Sequence, residues 1–352
     1  MINKIFNCIS IHNGGGMTYL SIMHYEIDKK NNLILLDNRA KTKVKTFKNA
    51  KIIYFKKSLF RNLFVFKERL KYTLLFRYYL KKENKKSHIK EFYLNGIPPF
   101  YRFSISTNKV YILFQNKNLF NYINFLDKKL FFKISFIMYH IVHSALINLF
   151  LKSSDTLIVQ TKSMKKTISS LKPKNKIEIQ DNYWKNLKLG SYSNQVVKYT
   201  PRETNKIIIQ QIKDLSKNNK IYFYPSSFDP HKNHKRLFKA FNKLNHVSNE
   251  DIKLIVSIDE YKVPLQYRNN ELIFFIGNQP IYVINQLYEI VDFLIFPSLN
   301  ESLGLPLIEA SFYNLPIIAS DLDFVYEVCK PSKTFDPLSE EDIYRKILET
   351  ID

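Results

Sequence analysis

The stretch DFLIFPSLNESLGLPLIEA, residues 292–310, determines the fold prediction. Residues 293–296 are uniformly apolar, which is typical of a strand covered on both faces in a parallel sheet. Gly304 allows close backbone approach, and Pro306 suits the first turn of a helix. The segment therefore predicts a strand, a loop and a helix, in that order. The free amides at the helix start are suited to binding a phosphate.

Two carboxylates belong to this segment. Glu301 falls in the predicted loop and Glu309 in the first turns of the predicted helix, so both can face the same ligand. A carboxylate accepts two hydroxyl hydrogens at once, which suits it to a ribose or sugar diol. A polyhydroxylated ligand is therefore the first functional hypothesis.

Together with the following LPIIASD at residues 315–321, the segment resembles the E-x7-E motif of the family 4 retaining glycosyltransferases. The resemblance implies the α/β GT-B fold, in which two doubly wound Rossmann-like domains face each other across a cleft. In that family the first Glu lies by the donor sugar and the second binds the nucleotide ribose, roles that pass to Glu301 and Glu309. Further donor-binding candidates are Ser302, Leu303, Gly304, Leu305, Gly277 and Asn278.

A second segment, YPSSFDPHKNHKRL at residues 224–237, lies between a predicted strand and an amphipathic helix. Lys232 resembles the lysine that contacts the pyrophosphate in the family, where a cation neutralises the leaving group. The family commonly has an Arg five residues earlier, where this chain has Ser227. Arg236 and Lys235 either compensate for this loss or belong to a solvated helix face.

The N-terminal half carries weaker signals. Residues 13–16, NGGG, resemble the glycine loop that approaches the donor phosphates and the acceptor, so Gly15 and Gly16 are donor-binding candidates and Asn13 an acceptor contact. Many relatives have a His after a middle strand of this domain. Here the matching stretch is LFQNK, residues 113–117, and Gln115 and Asn116 are the candidates for hydrogen bonds to the sugar or the acceptor.

Strand patterns alternate with helical patterns in two series, which favours parallel sheets. The predicted strands are residues 4–11, 32–36, 52–55, 89–94, 110–114 and 156–159, and then 221–224, 252–258, 272–276, 292–296 and 315–319. A polar stretch at 184–220 separates the series. We therefore predict an acceptor-side domain at 1–185, and a linker with the nucleotide-sugar-binding domain at 186–352.

The chain is strongly basic, with 54 Lys and Arg against 31 Asp and Glu and a net charge of +23. Such a charge indicates a partner of opposite sign, either nucleic acid or an anionic membrane leaflet, unless Lys is simply the default surface residue of this chain. Residues 59–82 are basic and aromatic, and fit either a membrane-surface helix or a helix packed on the sheet. Residues 134–151 carry no formal charge, but His140, His143, Ser144 and Asn148 interrupt them, so no membrane span is predicted.

The sequence contains no motif that indicates another chemistry. It has no P-loop and no Asp-x-Asp metal motif, and His140 and His143 lack a third ligand, so neither a metal nor a cofactor is predicted. Two cysteines, Cys8 and Cys329, fit a reducing compartment, and the N-terminus lacks a signal-peptide pattern. We expect a cytoplasmic protein, peripheral on the inner face of the plasma membrane.

The resemblance implies transfer of a hexose-type sugar, with retention of configuration, from a GDP- or UDP-linked donor to a lipid-linked oligosaccharide. Its setting would be surface-polysaccharide biosynthesis, such as O-antigen or capsule. One alternative is a catalytically inactive partner subunit, because the family's Arg and His are missing. A basic nucleic-acid binder is the other, disfavoured because no binding module is recognisable and most aromatics fall in predicted core elements.

Overall fold

The computed structural model describes residues 2–9, 11, 14–41, 47–55, 89–94, 96, 98, 109–114, 144–145, 147–180, 203–244 and 252–351. The chain divides into two compact units, Met1–Lys198 and Tyr199–Asp352. This division falls later than the predicted boundary at 186. The residues between the two positions lie within 181–202, outside the described part of the chain.

The first unit contains a parallel sheet. Its strands are β1 Lys4–Cys8, β2 Asn32–Asp37, β3 Lys51–Phe55, β4 Lys90–Tyr93, β5 Lys109–Leu113, β6 Thr156–Val159 and β7 Lys176–Ile179. They lie in the order β3-β2-β1-β4-β5-β6-β7. Every residue of β2 is buried, as expected of a strand covered on both faces. Strand β7 was not predicted, because it is only four residues long, lies at the sheet edge and contains no buried residue.

The helices of this unit include α1 Gly14–Ile22, α2 His24–Ile27 and α3 Lys162–Leu171. Met23 separates α1 from α2. The predicted glycine loop needs correction, since residues 14–16 form the first turn of α1. Gly15 and Gly16 thus belong to a helix start, where backbone amides lack intrahelical partners.

The second unit contains another parallel sheet. Its strands are β8 Lys220–Tyr224, β9 Ile252–Val256, β10 Ile273–Phe275, β11 Phe293–Phe296, β12 Ile317–Ser320 and β13 Lys333–Phe335, in the order β10-β9-β8-β11-β12-β13. Its helices are α4 Glu203–Leu215, α5 His234–Leu244, α6 Ile281–Tyr288, α7 Leu305–Phe312, α8 Asp323–Val328 and α9 Glu340–Leu348. The strand order reverses between β8 and β11, the arrangement of a doubly wound sheet.

Helix α4 corrects the reading of residues 184–220 as a polar linker. Ile212 of this helix is fully buried in the core of the second unit, and Ile208, Ile209 and Leu215 pack against that core. Their spacing is that of one helical face. The Lys and Gln side chains on the solvent side of the helix obscured this pattern.

Two parallel-strand Rossmann-like sheets with helices confirm the predicted α/β class. None of the described helices is long and apolar enough to cross a membrane. Within the described residues no group of His, Cys, Asp and Glu is arranged to hold a metal ion. The basic stretch at 59–82, together with His140 and His143, lies outside the described residues.

Candidate functional site

The loop that carries Lys232 follows the end of β8. A 3₁₀ turn at Pro230–Lys232 is followed by Asn233 in the left-handed conformation, with φ 60° and ψ 25°. Asn enters this region more readily than other non-glycine residues. Helix α5 begins directly afterwards at His234. The left-handed residue therefore reverses the chain between the turn and the helix.

Asn233 also joins this loop to the ends of two other strands of the sheet. Its buried side-chain amide donates to the carbonyl oxygens of Pro297, at 3.1 Å, and Pro337, at 2.7 Å. These residues follow β11 and β13 respectively. The guanidinium of Arg236 donates to the Asn233 side-chain oxygen at 3.0 Å. From the sequence, Arg236 either compensates for the missing family Arg or belongs to a solvated helix face. The structure adds a third role, since this side chain supports the Lys232 loop through Asn233.

Tyr224, at the end of β8, makes a second link between the loops. Its buried hydroxyl donates to the backbone carbonyl of Lys232 at 2.9 Å and lies 2.8 Å from the Ser298 hydroxyl. The backbone amide of Leu299 donates to the carbonyl of His231 at 2.8 Å. The loop of Lys232 and the loop before Glu301 are therefore held together by backbone and buried side-chain hydrogen bonds.

The two predicted catalytic residues meet directly. The Lys232 Nζ lies 2.6 Å from the Glu301 Oε1, and the two side chains are 15% and 12% exposed. The ammonium group also lies 6.0 Å from the centre of the Phe296 ring. An ion pair this shielded from water is stronger than a surface pair, although removing two charges from water offsets part of the attraction. Sequence separation gave no indication of this contact.

Gly304 introduces helix α7 from a left-handed conformation, with φ 73° and ψ 57°. An added Cβ would lie 3.0 Å from the Leu307 side chain, so this position requires glycine. No side chain caps the helix start, and Pro306 occupies its first turn as predicted. Of the other candidates here, Leu303 is buried, whereas Ser302 and Leu305 are partly exposed.

Glu309 lies in the second turn of α7 and is buried, with 7% of its surface exposed. Its Oε2 accepts a hydrogen bond of 2.9 Å from the hydroxyl of Tyr288, the last residue of α6. Burial raises the pKa of Glu309, and the hydrogen bond from Tyr288 acts in the opposite direction. Sequence reasoning missed Tyr288, because nothing in a single sequence distinguishes it among 23 tyrosines.

The remaining donor-binding candidates of this unit follow β10. Gly277 has φ 69°, and Asn278 is exposed. The Asp259 side chain accepts from the Asn278 amide at 3.3 Å, which ties this turn to the loop after β9. The turn therefore lies at the same end of the sheet as Lys232, because the carboxyl ends of parallel strands share one edge.

Two histidines flank Lys232. Burial and the neighbouring Lys232 lower the pKa of His234 to about 3, and its Nε2 lies 3.0 Å from the Ser226 hydroxyl. Burial also lowers the pKa of His231, and the nearby Glu301 opposes this shift. Both imidazoles are therefore neutral near pH 7, so the cationic group of this loop is Lys232. Ser227, at the family's Arg position, donates to the Asp229 carboxylate.

The N-terminal candidates are only partly located. Gly15 and Gly16 lie in the first turn of α1, as given above. Asn13, Gln115 and Asn116 lie outside the described residues, so their predicted contacts remain predictions.

Comparison with known proteins places this geometry in context. Residues 205–352 match the model of the family Glycosyl transferases group 1. Sucrose-phosphate synthase from Thermosynechococcus elongatus superimposes with a TM-score of 0.68 at 13% identity, covering 99% of this chain and 90% of that one. The fold is GT-B.

Two further solved structures share the fold. Anabaena HepE, in complex with UDP and glucose, has a TM-score of 0.64 at 15% identity, covering 100% of this chain and 90% of HepE. WaaG, a glycosyltransferase involved in lipopolysaccharide biosynthesis, has a TM-score of 0.63 at 13% identity, with coverage of 99% and 90%. No curated protein matches the sequence. The family match and the GT-B fold together support a glycosyltransferase of the GT-B type.

Proposed function

We propose that this GT-B protein is a retaining glycosyltransferase that moves a hexose-type sugar from a UDP- or GDP-linked donor. The observation that carries the proposal is the contact of 2.6 Å between Lys232 and Glu301. It joins two loops that follow parallel strands β8 and β11, on either side of the point where the strand order reverses. Ligands of open α/β sheets bind at such a point.

Each residue would serve a different part of the donor. Lys232 would neutralise the diphosphate as negative charge develops on it. Glu309 would accept hydrogen bonds from the ribose hydroxyls, and Glu301 would lie beside the transferred sugar. UDP bound to the similar Anabaena structure supports a nucleotide-linked donor. The amides at the start of α7 and the turn at Gly277 and Asn278 would complete the donor contacts.

The proposed reaction needs no protein nucleophile. The bond between the anomeric carbon and the diphosphate oxygen breaks, and a bond to the acceptor hydroxyl oxygen forms on the same face of the sugar. The acceptor's proton passes to the departing diphosphate oxygen, so charge and atoms balance. Attack and departure on one face retain the anomeric configuration.

For the acceptor we propose a lipid-linked oligosaccharide at the inner face of the plasma membrane, within surface-polysaccharide synthesis. The net charge of +23 supports an anionic membrane surface as a partner. The similarity in fold to WaaG is compatible with such a setting. Asn13, Gln115 and Asn116 remain the candidate contacts to the acceptor.

The transfer proposal is tested by incubating the full chain with UDP- and GDP-hexoses and lipid-linked saccharides. Nucleotide release and product anomeric configuration, the latter by NMR, are measured. We expect transfer with retention, lowered about a hundredfold or more in Lys232→Ala. Lys235→Ala is the matched control, because Lys235 is exposed and three positions further along the chain. An inverted product would overturn the mechanism, and nucleotide binding without any transfer would favour an inactive partner subunit.

The membrane proposal has a separate test. We expect the protein to sediment with vesicles containing anionic phosphatidylserine and to be released as salt rises, because surface charge attraction is screened over about 8 Å at physiological ionic strength. Vesicles of neutral phosphatidylcholine are the control. Equal sedimentation with both kinds of vesicle would contradict an electrostatic attachment.

A further inference from the structure

Tyr288 lies behind the proposed ribose-binding carboxylate and is itself almost fully buried, with 2% of its surface exposed. Its hydroxyl donates to Glu309 Oε2 at 2.9 Å. The ring of Tyr288 meets the edge of Phe223 at 5.5 Å and 69°, and stacks on Tyr313 at 5.5 Å and 23°. Two aromatic neighbours on different elements therefore fix the place of the hydroxyl.

Helix α7 fixes the other side of this contact. Glu309 and Tyr313 are one turn apart, and the Tyr313 amide donates to the Glu309 carbonyl at 3.3 Å. The same tyrosine that packs on Tyr288 thus continues the helix that carries the carboxylate. Tyr288 and Glu309 are held in one relative position by this arrangement, with little rotamer freedom left to either.

We propose that Tyr288 is a positioning residue for the donor: its hydroxyl fixes one oxygen of Glu309 and leaves the other to receive a ribose diol. The inference rests on the proposed function, since it assigns no contact between Tyr288 and the donor. A carboxylate has about four acceptor sites, and Tyr288 occupies one of them. The remaining sites suffice for two ribose hydroxyls.

The contact also acts on the protonation of Glu309. The titratable groups that face it are Tyr288 from α6 and Tyr313 at the end of α7, and no basic side chain of the described residues is bonded to it. Burial raises the pKa of the carboxyl, and the hydrogen bond from Tyr288 partly offsets this increase. Without the hydroxyl the pKa of Glu309 rises further, and a protonated carboxyl loses an acceptor for the diol.

The test is the affinity for UDP and for GDP, measured by calorimetry between pH 5 and pH 8.5, in wild type and Tyr288→Phe. Phe keeps the ring packing and removes only the donor. We expect Tyr288→Phe to bind nucleotide about tenfold more weakly than wild type at pH 7. As the pH falls, the variant should lose affinity at a higher pH than wild type does, because its Glu309 is protonated first. Tyr222→Phe is the matched control, since its buried hydroxyl lies 2.7 Å from the Thr350 hydroxyl and does not bond Glu309.

A double-mutant cycle separates positioning from general destabilisation. Glu309→Gln cannot change protonation, so adding Tyr288→Phe to it should weaken nucleotide binding far less than in wild type. The nucleotide's own phosphate titrates equally in all four proteins and cancels in the comparison. Wild-type affinity and an unshifted pH profile in Tyr288→Phe would overturn the inference while leaving the proposed function intact. Binding of neither nucleotide to wild type would overturn both.

Discussion

The contact between Lys232 and Glu301 predicts an unusual mutant. The carboxylate of Glu301 lies 2.6 Å from the Lys232 ammonium and neutralises it, so a bound diphosphate must displace or share that partner. Glu301→Gln removes the competing charge and keeps the shape of the side chain. We therefore expect this variant to bind free UDP or GDP more tightly than wild type while it loses transfer, because its carboxylate is needed beside the sugar.

The size of the effect follows from the exposure of the pair. Two unit charges about 4 Å apart attract by roughly 4 kcal/mol at an effective dielectric constant of 20. Desolvation and the ordering of two long side chains reduce the net value to about 1 kcal/mol for partly exposed pairs. The side chains here are only 15% and 12% exposed, so we take about 1 kcal/mol, the upper end of the range for exposed ion pairs. Release from this pair corresponds to about fivefold tighter binding.

Calorimetry of UDP and GDP on the two proteins measures this difference. Glu271→Gln is the matched control, because it removes the same charge from an exposed position. It should bind nucleotide as wild type does. Equal or weaker binding in Glu301→Gln, with the control unchanged, would refute the view that Glu301 competes with the diphosphate for Lys232.

Three further predictions concern the supports of the site. Asn233→Ala should lower the free energy of unfolding in urea by about 2–3 kcal/mol, through two lost hydrogen bonds and left-handed strain, and Asn233→Gly by about half as much. Gly304→Ala should lower the free energy of unfolding by about 1–2 kcal/mol in the same assay, because the added Cβ contacts Leu307 and the backbone has a positive φ. Unchanged stability would contradict this geometry. Burial lowers the pKa of His234 in the folded protein from 6.5 to about 3, so as the pH falls the unfolded chain takes up a proton before the folded protein does, and the free energy of unfolding should fall by about 1 kcal/mol from pH 7 to pH 5.5. His234→Phe should reduce that dependence, and an undiminished pH dependence in the variant would show that other groups cause it.

Much of the sheet architecture could be predicted from the sequence, because fully buried parallel strands read as continuous apolar runs. The stretch 293–296 is such a run and forms β11. Strand β7 and helix α4 were missed for the opposite reason. Strand β7 is short and contains no buried residue, and in helix α4 the exposed Lys and Gln side chains weaken the periodic signal on which the prediction depends.

Of the candidate site, the sequence indicated the residue types but not their contacts. The spacing of Glu301 and Glu309 suggested a shared ligand, whereas the structure gives them different partners. Glu301 meets Lys232 across the sheet end, and Glu309 meets Tyr288 from the preceding helix. Both contacts join residues far apart in the chain, and periodicity within a segment carries no information about them.

One supporting residue had a local signal that was overlooked. Asn233 stands between a proline-led turn and an amphipathic helix, where the chain must reverse and a left-handed residue is favoured. Its side-chain bonds to the carbonyls after β11 and β13 follow only from the strand order. The conformation was therefore predictable, and the bracing of the site was not.

The proposed function requires Lys232 to belong to a binding site for the diphosphate of a nucleotide. It is tested most directly by calorimetric titration of UDP and of GDP into the full chain, with Lys232→Ala and Lys235→Ala measured in parallel. We expect one nucleotide bound per chain by wild type and by Lys235→Ala, and affinity at least tenfold weaker in Lys232→Ala. Failure of wild type to bind either nucleotide, or equal affinity in all three proteins, would contradict it.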